Sequence, residues 1–369
     1  MTVNLAGPRH IAVVLPDFGG GGAERVQLAV IAALVAKGHR VDLVLAHRGG
    51  VLLELLPPEV RVIELSQRRL SGIIRPLARY LKRERPDAIH AVMWPLTVLV
   101  PLAHRLARSR ALLMVSEQAA LSRQYPAPAT RALLRLTARL AWPLADLRIA
   151  CADGTAADSA AVSGLPLGAF EVIHNPIEPP ASMAPDPAAE ALWGDASHRL
   201  INVGRLADQK NHALLLRAFR RLLEVHPQAR LMILGEGPLR GELEQQARSL
   251  GIDRNLLLPG FTLRPFGYLA TAELFVLSSD YEGLPLVLAE AMHAGLRIVS
   301  TDCVSGPREL LAGGRYGRLT PVGDEAALAE ALIAELVAPR DTERQRARAA
   351  EMSGTASIGR YVELLTAAR

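Results

Sequence analysis

The sequence predicts an α/β protein built from two doubly wound, Rossmann-like domains. Three observations carry this reading. Short apolar runs alternate with helical patterns through residues 1–176. The same alternation restarts near residue 199, and the stretch between, Pro176 to Pro187, is rich in Pro and Ala and has no periodicity. Continuous apolar runs separated by helices indicate parallel sheets covered on both faces. At 369 residues, half of them apolar, the chain can give each of two domains a full core.

Taken in order, Ile11–Leu15 reads as the first strand and Ala23–Lys37 as a helix stopped by Gly38. Strand-like runs follow at Val41–Leu45, Val60–Leu65, Ala88–Val92, Ala111–Val115 and Leu147–Cys151. Helical patterns Ile73–Arg85 and Thr97–Arg108 fall between them, and Val172-Ile173-His174-Asn175-Pro176 closes this half. The second half reads as strand Leu200–Val203, helix Ala213–Val225 and strand Arg230–Leu234, stopped by Gly235-Glu236-Gly237-Pro238. Helix Leu239–Leu250 ends at Gly251, Leu256–Leu258 is a strand, and Leu274–Leu277 leads to a helix reaching about Ala294. Ile298–Ser300 follows as a strand, and 355–369 as a last helix. The expected organisation is a first domain over 1–176, a linker over 177–198, and a second domain over 199–354. Ligands of such folds bind at the carboxyl ends of the strands, here expected in a cleft between the domains.

Charge is uneven. Residues 1–180 carry 21 Lys and Arg against 14 Asp and Glu, a net of +7, whereas residues 181–369 carry 21 against 23, a net of −2. A basic first half points to an anionic partner: a membrane surface, a phosphorylated acceptor or nucleic acid. Aromatics are only 4% of the chain, which argues against a nucleic-acid stacking surface. Arg131, Arg135 and Arg139 stand at helical spacing beside Leu133, Leu134, Leu136, Leu140 and Trp142. That pattern suits an anionic lipid surface, with Arg75, Arg79, Lys82, Arg83 and Arg85 adding to it. It equally suits an ordinary amphipathic helix packed on its sheet. Cys151 and Cys303 give no metal spacing and no disulfide framework. The N-terminus lacks a signal-peptide pattern and no apolar run reaches about 18 residues, so the expected location is cytoplasmic, with the inner membrane face as an alternative.

The motif richest in chemistry is Glu282-Gly283-Leu284-Pro285-Leu286, followed by Glu290. Pro285 suits the start of a helix, which leaves Glu282 in the preceding loop and Glu290 more than a turn inside. Eight helical residues span about 12 Å, the reach from the ribose to the sugar of a nucleotide sugar, and the free amides at the helix start face the diphosphate between them. Gly204-Arg205, with Lys210 five residues on, follows the first strand of the second half, where two cations are placed to neutralise a leaving diphosphate. Phe18 to Glu24, with Gly19 to Gly22 inside it, links the first strand to the first helix and lets backbone approach an anion closely. A dinucleotide fingerprint is the rival, with Asp42 as its acidic residue, but that fingerprint wants Gly or Ala where Glu24 stands. No Asp-x-Asp pair, no clustered His, no Gly-x-Ser-x-Gly and no P-loop occurs. No metal or cofactor is therefore expected.

Taken together these motifs resemble the retaining GT-B glycosyltransferases of the glycosyltransferase 4 type. The resemblance runs over nearly the whole chain: Gly21 to Glu24, Cys151-Ala-Asp-Gly, Val172 to Ile177, Val203 to Lys210, Gly235 to Pro238, Glu282 to Glu290, and Asp302 to Glu309. It implies two domains facing a deep cleft, with the last helix crossing back to the first domain. It implies an enzyme, a hexosyltransferase moving a hexose or N-acetylhexosamine from a nucleotide sugar, expected to be UDP-linked, without a metal. The acceptor is then a glycan or polyprenyl-phosphate-linked glycan of cell-surface polysaccharide synthesis. Arg205 and Lys210 match the residues that hold the donor diphosphate, Glu290 the one that binds the ribose, and Glu282 the one that contacts the hexose. Gly21 and Gly22 match the loop over the phosphates; Gly204 and Gly283 to Leu286 complete the donor set. Many relatives carry a His where this chain reads Ser116-Glu117-Gln118, so Glu117 and His90 are acceptor-binding candidates only. A UDP-sugar epimerase on the same fold and an inactive nucleotide-sugar-binding subunit remain the alternatives.

Overall fold

The computed structural model describes residues 7–47, 49–67, 69–177, 182, 184–352 and 354–367. The chain divides into two compact units, one of Met1–Pro176 with Gly354–Arg369, the other of Ile177–Ser353.

The first unit holds a seven-stranded parallel sheet: β1 (His10–Leu15), β2 (Arg40–Leu45), β3 (Arg61–Glu64), β4 (Ala88–Val92), β5 (Leu112–Glu117), β6 (Leu147–Ala150) and β7 (Glu171–Val172). Their order is β3-β2-β1-β4-β5-β6-β7. The chain therefore winds outward from β1 in one direction, then reverses at β4, and the reversal opens a crevice between β1 and β4 at the carboxyl edge. Ile11 to Leu15 are at most 1% exposed because helices cover both sheet faces. Helix Thr355–Thr366 contributes Tyr361, Val362, Leu364 and Leu365 to the core that β1 and β2 share. Residues 368 and 369, the end of the expected last helix, lie outside the described residues.

Asp42, the acidic residue that kept the dinucleotide reading open, is buried and engaged. It accepts hydrogen bonds from His10 at 2.9 Å, Arg61 Nε at 2.9 Å and Tyr80 at 2.6 Å. Burial pushes its carboxyl up, but the three donors outweigh burial and hold it well below the usual range. It has no capacity left for a ribose.

The second unit repeats the architecture with six strands, β8 (His198–Val203), β9 (Ala229–Leu234), β10 (Leu256–Gly260), β11 (Leu274–Leu277), β12 (Arg297–Thr301) and β13 (Arg318–Thr320). Their order is β10-β9-β8-β11-β12-β13, all parallel, so the reversal falls between β8 and β11. The stretch expected as a linker differs from expectation. Pro187–Trp193 is a helix whose N-cap Asp186 accepts from the Ala188 amide at 2.8 Å. Its Trp193 is wholly buried and donates to Thr271 Oγ1 at 2.7 Å. Alternating Pro and Ala hid this helix, because only Ala189 and Trp193, one turn apart, carry its buried side. Residues 178–181 and 183 of that stretch lie outside the described residues.

Candidate functional site

In the second unit the reversal point gathers two loops. The first follows β8 and carries Gly204, Arg205 and Lys210; the second follows β11 and carries Ser278 to Leu286. They are stitched together by Asp280 N–H to Gln209 O (2.9 Å), Gln209 Nε2 to Tyr281 O (3.0 Å), Asn211 Nδ2 to Asp280 Oδ1 (2.7 Å) and Ser278 Oγ to Lys210 O (2.8 Å). At the centre Lys210 Nζ donates to Glu282 Oε1 at 2.6 Å, and Ser279 Oγ donates to the same oxygen at 2.6 Å. Glu282 is 5% exposed. The ammonium and the hydroxyl together give one oxygen of this buried carboxyl two donors. Arg205 is exposed and makes no ion pair among the described residues.

Glycines decide how tightly these loops pack. A Cβ on Gly204 would press on the Lys210 side chain at 3.3 Å, so that alkyl chain runs over bare backbone. Gly235, at φ +150°, leaves its missing Cβ only 2.0 Å from Gly204 O, and that of Gly237 would fall 2.3 Å from Leu206 O. Hydrogen bonds from Gly204 N–H to Leu234 O and Leu206 N–H to Glu236 O join the two strips at 2.9 and 3.0 Å. Gly306, at φ +87°, similarly backs the Glu282 loop, its missing Cβ falling 2.3 Å from Gly283 O. The Gly235-Glu-Gly-Pro238 run and Gly306 thus back the charged loops at close packing distance.

Beyond Glu282, Leu284, Leu286 and Glu290 are buried, the last inside helix Leu286–His293, and Pro285 is that helix's N-cap. The amides of Leu286 and Val287 are the first of the helix and have no intrahelical acceptor by geometry. Under the pair lies His212, bonded to Asn202 Oδ1 at 2.9 Å; burial and the neighbouring Lys210 push it down to about 3, so it is neutral. Cys303 is 3% exposed, and burial, aided by Glu282, pushes its thiol up to about 12, which removes it as a nucleophile. Sequence reasoning missed Ser279, Gln209 and Asn211. Asn211 had a readable signal, since it caps helix His212–Val225 by accepting from the Leu214 amide.

In the first unit the glycine loop runs from β1 into helix Gly22–Ala36, with Gly21 as its N-cap. Glu117 ends β5 and is 3% exposed. It accepts from Thr97 Oγ1 at 2.5 Å and from the Trp94 amide at 3.3 Å. Burial dominates and pushes it up to about 8, against the hydrogen bonds from Thr97 and Trp94 that lower it. His90 is fully buried, bonds Ser116 Oγ at 2.7 Å, and lies 5.6 Å from the Tyr361 ring. Burial lowers it to about 3. No part of His90 reaches solvent, so the expected acceptor contact is corrected to an internal one, a neutral imidazole held between β5 and the last helix. Arg131 is half-buried, whereas Arg135 and Arg139 are exposed on helix Pro128–Ala141. Among the described residues no helix is long and apolar enough to cross a membrane.

Two family models match the chain, one described as Glycosyltransferase Family 4 over residues 20–179, the other as Glycosyl transferases group 1 over residues 189–352. A Campylobacter jejuni protein named N-acetylgalactosamine-N,N'-diacetylbacillosaminyl-diphospho-undecaprenol 4-alpha-N-acetylgalactosaminyltransferase is 28% identical, over 88% of this chain and 89% of its own. An uncharacterized glycosyltransferase of Methanocaldococcus jannaschii is 40% identical over 32% of this chain, which spans only a third of that relative. Among solved structures, Anabaena HepE in complex with UDP and glucose superposes with a TM-score of 0.79 at 21% identity, covering 95% of this chain and 97% of its own. WaaG, a glycosyltransferase involved in lipopolysaccharide biosynthesis, gives 0.71 at 17% identity, covering 97% and 100%. Two parallel sheets, each reversing beside its first strand, and two family models matched in tandem leave one assignment: the chain belongs to the GT-B glycosyltransferases of the glycosyltransferase 4 type.

Proposed function

We propose that this enzyme transfers a hexose or N-acetylhexosamine from a UDP-linked donor to a lipid-linked glycan, with retention and without a metal. The observation that carries the reading is the Lys210–Glu282 pair at the β8/β11 reversal, beside an exposed Arg205. A diphosphate brings negative charge to Arg205, to Lys210 and to the first amides of helix Leu286–His293. Glu282 then faces the sugar and Glu290 the ribose. In the transfer, the bond from the anomeric carbon to the β-phosphate oxygen breaks while the acceptor oxygen bonds to the same carbon. The acceptor proton passes to the departing phosphate, on the same face. The UDP named with HepE and the diphospho-undecaprenol acceptor named for the Campylobacter relative support this choice of donor and acceptor.

A lipid-linked acceptor also gives the basic first half a role. Helices Leu96–Ala107 and Pro128–Ala141 pack side by side and expose Leu102, Leu106, Leu133, Leu136 and Leu140. Residues 74–145 carry 12 Lys and Arg against 3 Asp and Glu. Leucines among arginines with few acids fit an anionic bilayer surface. Sedimentation with phosphatidylglycerol vesicles should recover the protein at low salt, and Leu136→Ser with Arg135→Glu should abolish recovery; equal recovery on uncharged vesicles contradicts this surface.

A thermal-shift screen of UDP-, GDP- and ADP-sugars tests the donor, because ligand stabilises the fold by mass action. The largest shift is expected with a UDP-sugar, followed by transfer to a lipid-linked glycan with the anomeric configuration kept. A bound UDP-sugar that isomerises without acceptor selects the epimerase, and binding without any turnover selects an inactive subunit.

A further inference from the structure

We infer that Trp94 and Tyr125 form a stacking platform for a pyranose ring of the acceptor, at the carboxyl edge of the first unit's sheet. The inference rests on the glycosyltransferase reading for its ligand, and on the first unit alone for its geometry. Trp94 follows β4, the strand at which the winding reverses, and Tyr125 lies in the connection after β5. Crevices at such reversals are where doubly wound sheets take ligands.

Four observations converge there. The two rings sit edge to face with centroids 4.6 Å apart and an interplanar angle of 62°. Both residues are half-buried and pack against the core cluster that includes Leu121 and Leu134. The other two tryptophans, Trp142 and Trp193, are 1% and 0% exposed, so Trp94 alone offers indole surface. Third, Met93 holds φ +67°, a left-handed conformation that costs a side-chain-bearing residue energy and tends to cluster at ligand sites. Fourth, the Trp94 indole N–H is buried and has no partner among the described residues, an unmet donor beneath that loop. The loop is nevertheless held: the Trp94 amide donates to Glu117, and Thr97 donates to the same carboxyl.

The chemistry of this platform suits a neutral sugar. A pyranose presents a face of C–H groups, which meets the electron-rich face of an aromatic ring, while its hydroxyls stay at the rim. Among the described residues no Lys or Arg is bonded to Glu117, and the groups that face it are Thr97, the Trp94 amide and, at longer range, Asp158.

The test uses the full chain. Trp94→Ala and Tyr125→Ala should each raise the KM for the glycan acceptor about tenfold, the size of an aromatic stacking contribution. The donor KM should stay unchanged. Trp94→Phe, which keeps a ring and most of the packing, should stay within about threefold of wild type. Unchanged acceptor KM in Trp94→Ala overturns the platform. So does a parallel loss of melting temperature and of both KM values that Trp94→Phe fully repairs, since that is packing alone. A second measurement works without turnover: tryptophan fluorescence titrated with methyl N-acetyl-α-galactosaminide and methyl α-glucoside. A saturable change in wild type that Tyr125→Ala weakens supports the platform even if no donor is ever consumed. In that event the glycosyltransferase reading fails and the sugar site stands. No saturable change at any sugar concentration, in a protein that does transfer sugar, overturns the site and spares the reading.

Discussion

The carboxyl edges of the two sheets share a topology and differ in charge. Each reverses beside its first strand, and each buries a glutamate there, Glu282 in the second unit and Glu117 in the first. Glu282 is met by an ammonium and a hydroxyl, both at 2.6 Å. Glu117 is met by a hydroxyl and an amide, with no cation bonded to it among the described residues. Burial therefore leaves the first carboxyl paired and drives the second towards its neutral form. At these two glutamates, then, one edge holds a paired carboxylate and the other a carboxyl without a cation among its bonded partners. A single backbone plan can thus serve both substrates of a transfer reaction, because the plan sets only where ligands bind and the side chains set which ligands.

The sharpest way to break the contrast is to strip the paired edge of its cation. Lys210→Ala leaves Glu282 buried without its cation, facing only the Ser279 hydroxyl, and should cost about 3–5 kcal/mol of stability along with nearly all transfer. Denaturant unfolding and initial rates read both, and adding Glu282→Gln should restore stability but not activity. Arg205→Ala should lower kcat about 10²–10³-fold while changing stability by no more than about 0.5 kcal/mol, because Arg205 is exposed. A rate near wild type would remove it from the site.

Glu117→Gln probes the other edge. With a folded pKa of about 8 against an ordinary 4.5, Glu117 holds its proton in the folded state after the unfolded chain has lost it. Its favourable share of stability is present below about 4.5 and is lost as pH rises through about 8. The melting temperature of wild type should therefore fall relative to Glu117→Gln between pH 5 and pH 9. Parallel curves would mean that Glu117 is ionised throughout. The smallest effect is expected at Arg360→Ala, which removes a pair with Glu171 at 2.5 Å whose side chains are 41% and 35% exposed. Such a pair contributes about 0–1 kcal/mol, seen as a slight drop in melting temperature.

Much of this was legible in the chain. The strands from Ile11 and Leu274 were readable because buried parallel strands are uninterrupted apolar runs. Glu282, Pro285 and Lys210 stood out because loops at strand ends are short and their residue types are restricted. The helix Pro187–Trp193 was not legible, since its buried side has only Ala189 and Trp193 and its signal was Asp-Pro alone. His90 looked like a cleft residue by position, and only the packing of Tyr361, 271 positions away in the chain, shows that it is covered.

By itself the sequence determined the two parallel sheets, the elements that carry each motif, and the residue types available at each strand end. Those follow from local periodicity and turn chemistry, which act over a few residues. Tertiary structure alone decided that Lys210 and Glu282, 72 positions apart, neutralise each other, that Glu117 has no such partner, and that Trp94 meets Tyr125. Charge pairing and burial depend on distances through space, and sequence spacing does not encode them.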